Sequence, residues 1–488
     1  MIHIGGWLRK DKCPGLSCDL VWDRNRYPDP EGMLSRLKNM GFKICLWISP
    51  FVPKGTSMYE EGDANGYFAK DENGKTYKGM TWGALDVGIV DFTNPDATLW
   101  FKNKLKDLMK MGVHAFKTDM GESIPPNAIF HDGKNGKEIH NVYPLLYNKA
   151  VFEATQEFYG EGIVWGRGGY AGVQRYPLQW AGDPRTRFED MCCVLRAGLS
   201  YGISGVPFWS HDAGGFFGEP TFNLYIRWIQ FAFLSSHTRC YGTTPRHPWA
   251  FGGKAIEIFK KYADLRYQLI PYLYSYAKIA NVTGLPLMRA LVLEFQNDIN
   301  VYSNDLQYML GKELMVAPVF NDEGERWIYF PEGRWYNWWD GSVYKGPLNV
   351  SYTAKIDELP IFVKAGAIIP LGPTMNFAGE TKFEPMTIRV YPHGKSEFVL
   401  YEKDGATRFE CIKRAGSIYF STEGTERNFL LEFYDVKRPR YVHLLEMEPK
   451  NKRKTFIKSK SLKYSYDKIK RVLRLSIKGK KFTLKMKF

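Results

Sequence analysis

The chain has 488 residues, which at ~150 per domain allows about three domains. Its 44% hydrophobic and 24% charged residues suit sizeable cores and exclude a disordered chain. No window offers the ~18 or more uninterrupted apolar residues of a membrane helix, which excludes a spanning protein. The net charge of +15 is uneven: residues 437–488 hold 19 Lys and Arg against 3 Asp and Glu, leaving 48 basic against 49 acidic residues before them.

Residues 1–4 are the first strand candidate. Asp29-Pro30-Glu31 then reads as a helix start, with an N-cap acid and Pro at the first helical position. Met33, Leu34, Leu37 and Met40 follow at helical spacing and Gly41 ends the run. The apolar run 42–48 is of strand length. The pattern repeats at Asn94-Pro95-Asp96, with Leu99, Leu105, Leu108 and Met109 as the expected apolar face, Gly112 as the stop and 113–118 as the next strand.

Further strand candidates are 162–166, 177–181, 205–209 and 238–242. Strands alternating with helices predict a parallel sheet with right-handed crossovers, and at this length a (β/α)8 TIM-type barrel. The count reaches seven strands, so the barrel is expected to lack its first strand or to hold a cryptic one. Beyond about residue 285 short runs such as 291–295, 313–319, 327–330, 361–363, 388–391, 398–401 and 429–433 are separated by turns. They predict one or two β-sandwich modules, making the whole α/β plus all-β.

In the basic C-terminal piece, Leu473, Leu475 and Ile477, then Phe482, Leu484 and Met486, alternate with polar residues, and Gly479-Lys480 stands where a tight turn would join the two runs. This predicts a β-hairpin with a solvated lysine face. Nucleic-acid binding would want a recognition helix or stacking platform; a surface that attracts acidic polysaccharide is the third option. Seven cysteines, at 13, 18, 45, 192, 193, 240 and 411, form no disulfide framework, and no Cys and His show zinc-ligand spacing, so no metal or cofactor is expected. The opening residues lack a signal peptide's basic and apolar regions, and the expected setting is the reducing cytoplasm.

In a (β/α)8 barrel the reactive groups sit at the C-terminal ends of strands. Those ends here carry Trp47; Lys117, Asp119 and Glu122; Arg167; Trp180 and Asp183; and Trp209, His211 and Asp212. Two carboxylates on different strand ends, with Trp, Arg and His around them, suit glycoside hydrolysis, which needs one carboxyl as nucleophile or base and one as proton donor. A single such acid would read as an N-cap or a surface salt bridge. A metal-dependent hydrolase would want several His and Asp ligands, and these ends offer one His.

The runs Phe116-Lys-Thr-Asp-Met-Gly-Glu122, Gln179-Trp-Ala-Gly-Asp183 and Phe208-Trp-Ser-His-Asp-Ala-Gly-Gly-Phe216 together resemble glycoside hydrolase family 31. Trp22-Asp-Arg-Asn-Arg-Tyr-Pro-Asp-Pro-Glu31, Leu46-Trp-Ile-Ser-Pro50 and Tyr308-Met-Leu-Gly…Val316-Ala-Pro-Val319 fit it as well, so the likeness covers roughly residues 1–370. It implies a retaining α-glycosidase with Asp119 as nucleophile and Asp183 as acid/base. Arg167 and His211 would bind sugar hydroxyls, and Trp47, Trp180 and, after a one-residue gap, Trp82 would wall the pocket. Trp209, Asp212 and Phe216 are expected among the substrate-binding residues, with no metal or cofactor.

The Lys117-Thr-Asp119 order is similar to the α-xylosidase branch, whereas α-glucosidases tend to have Trp-x-Asp-Met-Asn-Glu. The resemblance therefore implies release of α-linked xylose from oligosaccharides, with an α-glucosidase, a transglycosylase or an inactive sugar-binding remnant as alternatives. The expected division is a catalytic barrel at 1–284, a proximal β-sandwich at 285–370 and a distal basic β-rich domain at 371–488.

Two departures stand out. The family's His-hydrophobic-Asp at the second strand is His3-Ile4-Gly5 here, without the carboxylate; a lost hydroxyl acceptor weakens sugar binding by about 1–3 kcal/mol. Family members also carry an N-terminal β-sandwich and a first barrel strand. The expectation is a truncated or split gene product whose missing part is a separate chain or was lost, with an oligosaccharide substrate, a homo-oligomer or that separate chain as partner, no nucleic acid and no membrane.

Overall fold

The computed structural model describes residues 1–450 and 453–488. Its backbone forms two compact units, Met1–Trp180 and Ala181–Phe488. No helix among the described residues is long and apolar enough to cross a membrane.

The first unit begins with strand β1 (Ile2–Ile4) and helix α1 (Pro30–Asn39), whose first turn is capped by the Asp29 carboxylate accepting from the Gly32 amide at 2.8 Å. Strand β2 (Ile44–Ile48) is buried along its whole length, as a strand covered on both faces must be. Between it and the next crossover helix lie β3 (Phe51–Pro53), α2 (Ser57–Ala64), β4 (Gly79–Thr81) and β5 (Ala84–Ile89), the strands forming a small antiparallel sheet in the order β3-β5-β4.

Helix α3 (Pro95–Lys110) starts on Asn94, whose side chain accepts from the Asp96 amide at 2.9 Å. Its buried stripe runs through Ala97, Phe101, Leu105, Leu108 and Met109. Leu99, expected on that face, is instead exposed, because it lies two residues off a stripe that repeats every three to four. Strand β6 (Ala115–Thr118), the one-turn α4 (Gly136–Ile139), α5 (Tyr143–Tyr159), β7 (Trp165–Gly166) and β8 (Gln179–Trp180) complete the unit. β1, β2, β6, β7 and β8 pair in that order, all parallel, so their C-terminal ends lie together along one edge of the sheet.

In the second unit the run 205–209 yields a strand only at Trp209–Ser210, and the run 238–242 contributes a single parallel bridge between Asp212 and Arg239. Four helices, Phe188–Ile203, Phe222–Phe233, Gly253–Gln268 and Ile270–Thr283, share one hydrophobic core with the β-structure that follows. That β-structure is a six-stranded antiparallel sheet within Met288–Lys364 and a nine-stranded sheet within Ile368–Lys487. The run at 291–295, expected as a strand, holds a 3-10 turn at Leu291–Leu293.

The expected C-terminal hairpin is a correction. Val472–Lys487 is one continuous strand, paired along its length with Ser417–Phe433. At Gly479–Lys481 the register slips opposite Glu423–Arg427, and the inward set changes from Leu473 and Leu475 to Phe482, Leu484 and Met486. An irregularity in the ladder switches faces as a turn would, so the change of parity that predicted a turn marks a bulge.

Candidate active site

The register of the parallel sheet sets Trp47 beside Lys117 and Lys117 beside Trp165. In-register residues of adjacent strands share a face, and so do residues two apart on one strand. Asp119 thus continues the Lys117 side just past β6, its amide still bonded to the Ile48 carbonyl at 3.0 Å.

The Asp119 carboxylate is 5% exposed and fully engaged. One oxygen accepts from Trp47 Nε1 at 2.7 Å and Lys117 Nζ at 2.9 Å. The other accepts from Arg167 Nη1 at 2.7 Å and the Met120 amide at 2.8 Å. Burial alone would raise its pKa, but the charges of Lys117 and Arg167 and the bonds from Lys117 and Trp47 outweigh burial and bring it down to about 2. Asp119 is therefore ionised at any ordinary pH.

Past Asp119 the chain turns through Met120 and Gly121, both at positive φ, and returns Glu122 to Arg167. The Glu122 carboxylate accepts from Arg167 Nε at 2.8 Å and Nη2 at 2.9 Å, so Arg167 is fixed from both sides. Lys117 Nζ also lies 3.5 Å from the centroid of the Trp180 ring, a cation–π contact in a buried place. Trp165 meets Trp180 edge to face with centroids 6.0 Å apart, and meets His3 at 5.9 Å. The cluster thus brings together Asp119, Lys117, Arg167, Trp47 and Trp180, five of the residues singled out from the sequence, and adds Trp165, which was missed. The signal for Trp165 was available only in register, since nothing in its own strand marks it. Trp82 takes no part: it is 75% exposed on the turn between β4 and β5, its carbonyl accepting from the Leu16 amide at 3.0 Å.

In the second unit Asp183 is half-buried on the loop ahead of Phe188–Ile203. The Pro184 carbonyl next to it accepts from the amides of Phe216 and Phe217 at 2.6 and 3.1 Å. Gly215, at φ +78°, permits this approach, for a Cβ there would lie 2.9 Å from the Arg185 carbonyl oxygen. His211 is 1% exposed, stacked on Phe231 at 4.2 Å, and its Nδ1 accepts from Trp228 Nε1 at 3.0 Å. That bond leaves the proton on Nε2, and burial pushes the imidazole down to about 3, so the ring is neutral.

His211 Nε2 and Trp209 Nε1 are buried donors without an acceptor among the described residues. Buried polar groups are normally satisfied, and two strand-end donors left open have the chemistry to receive hydroxyl oxygens. Asp212 is differently placed from the expectation of a substrate contact: it is fully buried and holds Arg239, with Nε to Oδ1 at 2.8 Å and Nη2 to Oδ2 at 2.5 Å. That guanidinium covers Tyr241 at 4.3 Å, and half-buried Phe216 lies 5.9 Å from the same ring.

The profile of the glycosyl hydrolases family 31 TIM-barrel domain matches residues 4–276, and that of the family's C-terminal domain matches residues 284–369. An α-xylosidase of Emericella nidulans is 40% identical over 366 residues, 72% of this chain and 47% of that protein. The α-xylosidase XylQ of Lactiplantibacillus pentosus is 42% identical over 365 residues, with the same two shares. The chain spans about half the length of these curated relatives. A glucose complex of a Flavobacterium johnsoniae dextranase of the family superimposes with a TM-score of 0.88 at 30% identity, covering all of this chain and 66% of that one. A parallel sheet with a charged strand edge, a helical crossover pattern and β-modules later in the chain meet both profiles in order: the chain belongs to glycosyl hydrolase family 31, with its TIM-barrel domain followed by C-terminal β domains.

Proposed function

We propose that the chain works as a retaining α-glycosidase that releases α-linked xylose from oligosaccharides. The observation that carries this is the buried Asp119 carboxylate, kept ionised by Lys117 and Arg167 at a strand end. Asp183 donates its proton to the glycosidic oxygen as the bond to the anomeric carbon breaks, and an Asp119 oxygen bonds that carbon. Asp183 then takes a proton from water, whose oxygen displaces Asp119 and leaves the anomeric configuration retained.

Lys117 supports xyloside over glucoside. Its ammonium sits between the Asp119 carboxylate and the Trp180 face, and a cation held there is read as taking the place of a substrate's exocyclic hydroxymethyl group. Relatives named α-xylosidase at 40 and 42% identity support the same choice. A cytoplasmic setting is supported by seven cysteines, all of them thiols.

The test is nitrophenol release from the α-xyloside and the α-glucoside by the purified chain, with Asp119→Ala as control. Faster xyloside cleavage that vanishes in the control is the expected result. Glucoside preference would remove the role given to Lys117. Absence of turnover in a folded chain would overturn the proposal for this chain.

A further inference from the structure

The last sheet ends in a face that the proposed chemistry does not use. Ile418, Phe420, Val442, Leu484 and Met486 are buried, so the residues between them on the same strands turn outward. In register across three adjacent strands lie Tyr419, Lys485 and His443, and one pleat further Ser417, Lys487 and Tyr441. Lys485 Nζ is 5.7 Å from the Tyr419 centroid, and the Tyr441 and His443 rings stack at 4.2 Å. Arg474 and Lys481 on the same long strand are paired with Glu432 and Glu423, at 2.7 and 2.6 Å. Among the described residues Lys485 and Lys487 have no carboxylate partner.

We propose that this face binds an acidic polysaccharide, one whose sugar rings carry carboxylates. Half-exposed aromatic rings present flat apolar surface to sugar C–H faces, while Lys485 and Lys487 supply point charges. The surplus of sixteen basic residues within 437–488 complements such a polymer. Phosphate recognition favours the arginine fork, and the two rows hold lysine. Tyr441 and His443 already stack on each other, so no base can slot between them. This inference does not depend on the catalytic proposal.

The test is native electrophoresis of the full chain through gels containing polygalacturonate, neutral xyloglucan or a short DNA duplex. Retardation by polygalacturonate is expected to fall roughly tenfold in affinity in a Lys485→Glu, Lys487→Glu double variant and severalfold in Tyr419→Ala. Tyr441→Ser repeats the aromatic arm should Tyr419→Ala fold poorly, and unchanged nitrophenyl xyloside turnover in each variant keeps this outcome apart from the catalytic one. No retardation, retardation indifferent to both aromatic variants, or equal retardation by DNA would each overturn the proposal.

Discussion

Asp119 has four donors on two oxygens, an arrangement that stabilises the ion and also restrains it in the nucleophilic role proposed for it. Attack requires one donor to move, and Lys117 is held by the Trp180 face as well as by the carboxylate. Replacing it tests this balance. Lys117→Met removes a cation that lowers the Asp119 pKa, so that pKa rises and the acid limb of kcat/KM moves to higher pH. A pH–rate profile unchanged by the substitution would show that Lys117 does not set the charge state. Glu122→Gln loosens Arg167 from one side, and a kcat lower by about ten- to a hundredfold is expected from mispositioning, with a smaller change in KM.

His211 gives a prediction about stability. Its folded pKa, about 3, lies below the unfolded value near 6.5, so between those limits the unfolded chain binds a proton that the native chain does not. The stability contributed by the neutral ring is complete above pH ~6.5 and falls as the pH drops, by up to about 1.4 kcal/mol per unit. Denaturant melts from pH 7 to 4 are expected to show a shallower loss in His211→Gln than in the parent.

At the scale of elements, the helix Phe188–Ile203 is shaped for one side chain. A Cβ on its Gly198 would stand 2.0 Å from the Trp209 ring, which lies there fully buried. Gly198→Ala is expected to destabilise the chain by about 1–3 kcal/mol through overpacking, although alanine is the better helix former. An unchanged melting temperature would mean that Trp209 moves freely. The long C-terminal strand teaches a related point. Its change of parity at Gly479 was visible in sequence, but a turn and a bulge produce the same local pattern, and only pairing with Ser417–Phe433 separates them.

At the scale of the whole molecule, the second unit joins helices to β-modules through one core. The Arg227 guanidinium, buried on its helix, donates to the carbonyls of Ala354, Lys355 and Glu358. Tyr272 stacks on Phe398 at 5.8 Å, and the Tyr401 amide donates to Ser275 Oγ at 3.0 Å. A chain ended at residue 370 would expose that helix face, and its second unit is expected to lose the single cooperative calorimetric transition. A sharp melt retained by the shortened chain would show that the helices and first sheet suffice.

The sequence by itself determined the order of elements, because Asx-Pro helix starts, glycine stops and apolar runs act within a few residues of one another. It also determined Asp119, Lys117 and Arg167 as strand-end groups, since the end of a parallel strand is a local property. Only the tertiary structure decided what those groups touch. Trp165 joins the cluster through interstrand register, Asp212 is taken by an arginine 27 residues away, and Trp82 stays exposed on a turn. Each of these depends on a distant segment supplying or withholding a partner, and a short run of residues holds no record of its distant partners.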